Sequence, residues 1–297
     1  MNIKLFATLV CALVSVQLFA CDVCGAVNSS LGLGTVAAGN RHSIGLSYQY
    51  RTYKSNHPPL FNEPSVGSAE RFQRIDLTGN VRLSNRWQLK ASLPFVYNEQ
   101  TKERVLQHKQ GIGDPTLTVH YFLVNRQNDE QDRNLRWSLG AGGKLPLGAY
   151  PEPHDEVLLL YPGTGTFDGV FQSSLFYRSK EWGLIQESSF VWRSTNRHRY
   201  TPGSLFNATL FGFRRFKNWS VFGGFQYAWN GTDYIDREPI NSSPSQGNIL
   251  SGTVGATIQW GKFLLQGNYH LPIVQDLGNG YTKQQTSFTT GLYYIFN

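Results

Sequence analysis

Cys21-Asp22-Val23-Cys24 is the first stretch in which side chains are spaced for chemistry. Two thiols at that spacing can close a disulfide in an oxidising compartment, or bind a soft cation as thiolates. Two ligands alone fall short of a closed tetrahedral metal site. Leu18-Phe19-Ala20-Cys21 also resembles a bacterial lipobox, which would make Cys21 a lipidation site. Disulfide, lipid and metal readings therefore stay open for Cys21 and Cys24. Hydrolytic arrangements are weaker. A hydrolase with its His two residues before its Ser needs His-x-Ser, and none occurs. His42-Ser43 is adjacent, and His154-Asp155-Glu156 is explained by a charged, Pro-flanked loop. Gly111-Ile112-Gly113-Asp114-Pro115 has the glycines of a phosphate loop. No helix follows whose N-terminus could bind the anion. Gly111 and Gly113 suit a tight strand opening, with Asp114 hydrogen-bonding locally or facing an interior near its external mouth. No catalytic residue and no cofactor is assigned.

The other candidates are charges at every second position of otherwise apolar stretches. Arg74, Asp76 and Arg82 alternate with Ile75, Leu77, Gly79, Val81 and Leu83. Lys90 sits between Leu89 and Ala91, and His120 between Val119 and Tyr121. Arg136 and Lys144 bracket Trp137, Leu139, Ala141 and Gly143. Period-two alternation belongs to a strand with a different solvent on each face. If the apolar faces meet lipid, then Arg51, Arg74, Asp76, Arg82, Lys90, His120, Arg136, Lys144, Glu187, Arg193 and Lys262 share one interior. Cations outnumber acids in that set, so a passage through it would prefer anions or polar solutes. The competing expectation is that opposite charges pair across the interior and plug it.

The elements that hold these residues follow one after another. Ile112 to Leu147 reads as a hairpin with a polar turn between Asn125 and Arg133. A first strand carries Ile44, Leu46, Tyr48 and Tyr50. Two more meet at the turn Ser84-Asn85-Arg86. Further strands span about Phe167–Arg178, Trp182–Ser194 and Leu205–Phe216, the last with a parity slip near Phe211 that suggests a bulge. Trp219–Trp229, Leu250–Trp260, Phe263–Ile273 and Phe288–Phe296 complete about twelve strands. Long connections are expected at 55–69, 99–110, 148–165 and 231–247. They alternate with tight turns, the pattern of bacterial barrels with external loops and periplasmic turns. Trp87, Trp137, Trp182, Trp219, Trp229 and Trp260 fall near strand ends, where interfacial girdles lie.

Composition agrees. Aromatics are 14% and charged residues 16% of the 297 residues, too little charge for a soluble surface. Leu5 to Val16 behind Lys4 is a secretory h-region too short to span a bilayer, and no later run approaches about 18 apolar residues. The expected organisation is a signal peptide at 1–20, a Gly-rich periplasmic leader at 21–41 and a barrel at 42–297. The net charge of +7 loses only Lys4 with the signal. A mildly basic chain without a basic run gives no reason to expect nucleic acid.

An ordered set of motifs carries a family resemblance. It comprises Leu93-Pro94-Phe95, Gly111-Ile112-Gly113-Asp114, Tyr121-Phe122-Leu123 and Gly142-Gly143-Lys144-Leu145-Pro146-Leu147-Gly148. Together they resemble the outer-membrane transporter family named for the phenol meta-degradation pathway. Cys21-Asp22-Val23-Cys24-Gly25, then Ser30-Leu31-Gly32 and Ile44-Gly45-Leu46, resembles the leader of Bacteroidetes-type members. Ala26 stands where such leaders often have a further cysteine, a departure that weighs against a metal site. The closing Gly291-Leu292-Tyr293-Tyr294-Ile295-Phe296 resembles the terminal strand signal read by the outer-membrane assembly machinery, with Asn297 departing from the usual final aromatic.

The expectation is an all-β, up-and-down antiparallel transmembrane barrel in a Gram-negative outer membrane, both termini periplasmic. Its surroundings would be outer-membrane lipid and lipopolysaccharide, and its cargo a small solute. The alternatives are a closed structural or binding barrel, and a metal-related protein using Cys21 and Cys24. An enzyme is not expected.

Overall fold

The computed structural model describes residues 41–57, 66–128, 130–152, 160–240 and 246–296. The signal and leader segments, Cys21, Cys24 and His154-Asp155-Glu156 lie outside them. Sixteen strands follow in order: β1 (His42–His57), β2 (Val66–Arg82), β3 (Trp87–Lys102), β4 (Val105–Ile112), β5 (Thr116–Asn128), β6 (Arg133–Lys144), β7 (Asp168–Ser179), β8 (Trp182–Trp192), β9 (Tyr200–Thr201), β10 (Leu205–Arg215), β11 (Trp219–Asn230), β12 (Tyr234–Ile235), β13 (Glu238–Pro239), β14 (Gly247–Trp260), β15 (Phe263–Leu277) and β16 (Thr282–Phe296). Twelve of them form one antiparallel sheet that closes on itself, with β1 pairing β2 on one side and β16 on the other. The other four lie outside the ring: β4 extends β3, and β9, β12 and β13 make a small separate sheet.

The barrel is inside-out relative to a water-soluble protein. Along β1, Leu46 is 53% exposed while its neighbour Ser47 is 2% exposed. On β2, Ile75 and Leu77 are exposed and Asp76 is fully buried. The same alternation runs through β3, β11, β15 and β16. Only lipid makes that outer face stable, because an apolar belt around the whole ring would be driven together in water. All seven tryptophans are exposed on the outside. Trp87, Trp182, Trp219 and Trp260 sit at strand starts or ends beside tight turns.

Five tight turns gather at one end of the barrel, together with the start of β1 and the end of β16. The opposite end carries six connections, called here the long-loop end. Several expected loops are shorter than their sequences suggest, because strands run on past the belt. The 55–69 connection shrinks to 58–65, and β15 and β16 are joined by Gly278–Tyr281 alone. The expected loop at 99–110 is instead a hairpin of β3 with β4, turned at Glu103 and Arg104, both with positive φ (49° and 69°). Two such residues make the turn whose twist matches an antiparallel pair. The 231–247 connection contains β12 and β13.

Two further expectations are corrected. β10 has an unbroken register with both β8 and β11, so no bulge lies at Phe211. Its parity reads as slipped because Phe211 and Phe213 face inward beside Asn207 and Thr209. Register shifts occur elsewhere, as between Phe122 and Val124 on β5. Lys262 does not share the interior: it is exposed in the β14–β15 turn, 6.0 Å from the Tyr294 ring centroid.

Candidate functional site

Toward the long-loop end, three separate stretches converge on Asp114. Its Oδ2 accepts from Lys144 Nζ at 2.8 Å, Thr164 N at 3.0 Å and Thr164 Oγ1 at 3.1 Å. Its Oδ1 accepts from Gly148 N at 2.9 Å. Lys144 Nζ also lies 2.8 Å from Asp168 Oδ2, so one ammonium is shared by two buried carboxylates. The glycines of the motif let the backbones come this close. A Cβ on Gly163 would stand 2.7 Å from Asp114 Oδ1, and one on Gly113 would stand 2.8 Å from Pro162 O. Gly111 has φ +151°, a conformation L side chains rarely adopt. The β6–β7 connection is thereby folded back on the barrel, and its own Leu160, whose carbonyl accepts from Asn98 Nδ2 of β3 at 3.0 Å, is buried. The strand-opening motif thus acts as a clamp on the longest connection of the barrel.

The midsection is polar. Arg74 grips Asp76 with two parallel bonds, Nε to Oδ2 at 2.7 Å and Nη2 to Oδ1 at 2.6 Å. Lys90 is buried and Glu187, half-buried, is its electrostatic neighbour and accepts from Ser174. His120 Nε2 lies 2.9 Å from Gln172 Oε1, its ring lying where a Cβ on Gly140 would be. Arg51 is buried near His270. Beside them a pocket lined by Gln49, Arg51, Gln226 and His270 holds only about 20 Å³, room for about one water. Arg193, at the end of β8, is buried, with no partner for Nε or Nη1 among the described residues.

The tight-turn end is different. A cavity of about 960 Å³ opens there. Its wall includes Phe122, Phe176, Ile185, Phe213, Phe222 and Leu264, all reached from inward positions of their strands. Phe176 stacks on Phe213 at 5.6 Å, and Phe211 meets Phe222 at 5.8 Å. Arg41, Arg82, Arg86, Arg126, Arg136, Arg178, Arg215 and Lys217 also line it, and among the described residues no acid does. The guanidinium of Arg136 lies 4.5 Å from the Phe176 ring centroid, where apolar wall and cationic rim meet. Arg178 and Arg215 share one carboxylate, Asp132, at 2.7 and 3.2 Å.

The candidate residues therefore separate into three groups. Lys144 and Asp114 join the clamp. Arg74, Asp76, Lys90, His120 and Glu187 lie in the midsection. Arg82 and Arg136 belong to the cavity, and Arg193 stands apart. The phenyl wall and most of the cationic rim escaped the sequence reading. Inward-parity aromatics at Phe122, Phe176 and Phe213 were the available signal. The hydrolytic candidates have structural roles: the His42 ring stacks on Phe296 at 5.6 Å, and Ser43 Oγ accepts from Asn80 Nδ2 at 3.0 Å. Among the described residues no cluster of three His, Cys, Asp or Glu could hold a metal.

A closed twelve-stranded ring with an apolar outer belt, aromatic girdles and a polar interior is a transmembrane β-barrel of the outer-membrane kind. Residues 65–271 match the family described as "Putative MetA-pathway of phenol degradation", and the chain belongs to that family. Its fold is similar to the COG4313 outer membrane channel from Pseudomonas putida F1. That likeness has a TM-score of 0.64 at 16% identity over 86% of this chain and 96% of that one. Looser likenesses are to the β domain of the Bordetella autotransporter BrkA (TM-score 0.46, 13% identity, 86% and 99% covered) and to the CymD monoaromatic hydrocarbon channel (0.44, 10%, 95% and 99%). Among curated proteins none matches the sequence.

Proposed function

We propose that this barrel is a passive channel of the Gram-negative outer membrane for a small solute, preferring anions. The observation that carries this reading is the cavity of about 960 Å³ bounded by inward-facing side chains at one mouth. Nothing among the described residues fills that space, and a barrel serving only as an anchor gains nothing from the packing so forgone. Family membership and the fold of a protein named as a channel support the same reading. The tight-turn end faces the periplasm, with both termini there, because bacterial barrels keep their short turns on that side. Residues 1–20 act as the export signal and 21–41 as the leader carrying Cys21 and Cys24. The lipid-facing belt meets outer-membrane lipid and lipopolysaccharide, and the final strand is read by the assembly machinery.

Anion preference is placed at the periplasmic mouth. The midsection cations have acids beside them: Arg74 has Asp76, Lys90 has Glu187 and Lys144 has two carboxylates. At the mouth Arg178 and Arg215 share the one carboxylate of Asp132, and an excess of one sign of wall charge raises the local concentration of counter-ions. The test is conductance of refolded protein in a planar bilayer under a salt gradient. Discrete steps with an anion-selective reversal potential, lost on neutralising Arg82, Arg136 and Arg178, are expected. A silent bilayer, from protein whose heat-modifiable gel mobility proves it folded, would overturn passage. It would favour the second reading, a closed binding barrel, for which the clamped loop is the supporting observation.

A further inference from the structure

The tight-turn end also carries cations on the outer surface of the barrel, at the edge of the apolar belt. Lys262 lies in the β14–β15 turn between Trp260 and Phe263, both exposed on the outside. Its Nζ is 6.0 Å from the Tyr294 ring centroid, and Tyr294 in turn meets Phe263 at 5.2 Å. Arg214 sits on the outward face of β10, whose inward face carries Phe211 and Phe213. Its guanidinium is 5.1 Å from the Trp182 ring centroid and 5.2 Å from that of Phe216, and Phe216 stacks on Trp219 at 4.0 Å. Arg86 donates to the Tyr121 hydroxyl at 2.9 Å, and Tyr121 packs on Trp87 at 4.9 Å. One arrangement, a cation beside exposed rings, is thus repeated around the ring: on β3 with β5, on β8 with β10 and β11, and on β15 with β16.

That arrangement fits the boundary of a bilayer, where rings rest on acyl chains and the charge beside them reaches the headgroups. The charges there are mostly of one sign. Lys180 and Lys217 add cations in two further turns. Among the described residues the acids of the five turns are Glu130, Asp132 and Glu181. Asp132 is shared by Arg178 and Arg215, and Glu181 pairs with Arg214 at 3.2 Å. Lys262 has no ion pair among the described residues. A zwitterionic headgroup brings its own ammonium to this edge and gains little, whereas an anionic headgroup brings a phosphate without one. We infer that the outer edge of the tight-turn end is a binding surface for anionic phospholipid. The acyl chains lie against the exposed rings and the phosphates on cations led by Lys262 and Arg86. The inference rests on the channel reading only for the leaflet it names, the periplasmic one.

Native mass spectrometry of the folded full chain in detergent tests it, with phosphatidylglycerol, phosphatidylethanolamine of the same acyl chains, and lipid A as probes. Phosphatidylglycerol adducts should exceed phosphatidylethanolamine adducts about fivefold or more, the factor that one cation near a lipid surface supplies. K262Q and R86Q, both at exposed turn positions, should each lower the phosphatidylglycerol adducts severalfold and leave phosphatidylethanolamine unchanged. R199Q, at an exposed pair near the other end, should change neither. Equal retention of the two phospholipids, or full phosphatidylglycerol retention when Lys262 and Arg86 are both replaced, would overturn the surface. So would a preference for lipid A lost in the same variants, which assigns the edge to the opposite leaflet. Binding of polyglutamate in place of phosphatidylglycerol would overturn it too, assigning the cations to an acidic protein partner. Conductance of the same protein separates the two readings. A conducting barrel without lipid preference keeps the channel and loses this surface. A silent barrel that retains phosphatidylglycerol keeps the surface and loses passage.

Discussion

Asp114 near the long-loop end accepts four hydrogen bonds and shares its lysine with a second buried acid. At the tight-turn end, eight cations and no acid line one cavity among the described residues. Among the described residues the five buried acids, Glu70, Asp76, Asp114, Asp168 and Asp233, all lie off that lining. Both regions are built on the same alternating strands, so alternation alone does not determine what an inward charge does. Partners determine it. Near the long-loop end an inward cation is held by carboxylates, whereas at the cavity Arg178 and Arg215 share a single one.

The comparison breaks most visibly at Lys144. Lys144→Met strands two buried carboxylates, and removing one partner of a buried pair costs about 3–5 kcal/mol. The temperature at which the folded gel band converts should fall clearly, and an unchanged conversion would make the clamp dispensable. Gly163→Leu should cost less, about 1–3 kcal/mol as an overpacking change. Because it pushes the connection off Asp114, larger or more frequent conductance steps should accompany it. Arg178→Gln sharpens the other side: stability should shift by less than about 1 kcal/mol while the reversal potential loses anion selectivity. The smallest effect belongs to Arg199→Ala, which removes an exposed pair with Asp236 at 3.0 Å. Conversion should stay within about 0.5 kcal/mol of the parent, setting the baseline against which the others are read.

The membrane-crossing part of the fold was legible because lipid and interior demand opposite side chains at successive positions. Leu46 and Ser47, or Leu77 and Thr78, announce themselves for that reason. Past the belt both faces of a strand are wet and the contrast fades. The β3–β4 hairpin, with Val105 and Leu106 exposed side by side, therefore read as a loop. The clamp was half legible. Asp114 and Lys144 stood out, but Thr164 and Gly163 sit on a connection whose path no periodicity encodes. The cavity was legible only as an irregularity. Phe211 and Phe213 on an inward face imitate a bulge, because a pattern reading assumes the interior is polar throughout.

The seam of the barrel has a consequence for how the chain is made. Tyr53 donates to Gln284, and Thr52 accepts from the backbone of Thr286, across separations of 231 and 234 residues. The other neighbours around the ring are near in sequence and can pair as they emerge, whereas β1 must wait for the last strand. Until then the growing sheet has two raw edges, each able to capture a strand from another chain. Loss of the final fifteen residues of β16 would therefore yield an open ribbon prone to self-association, not a smaller pore.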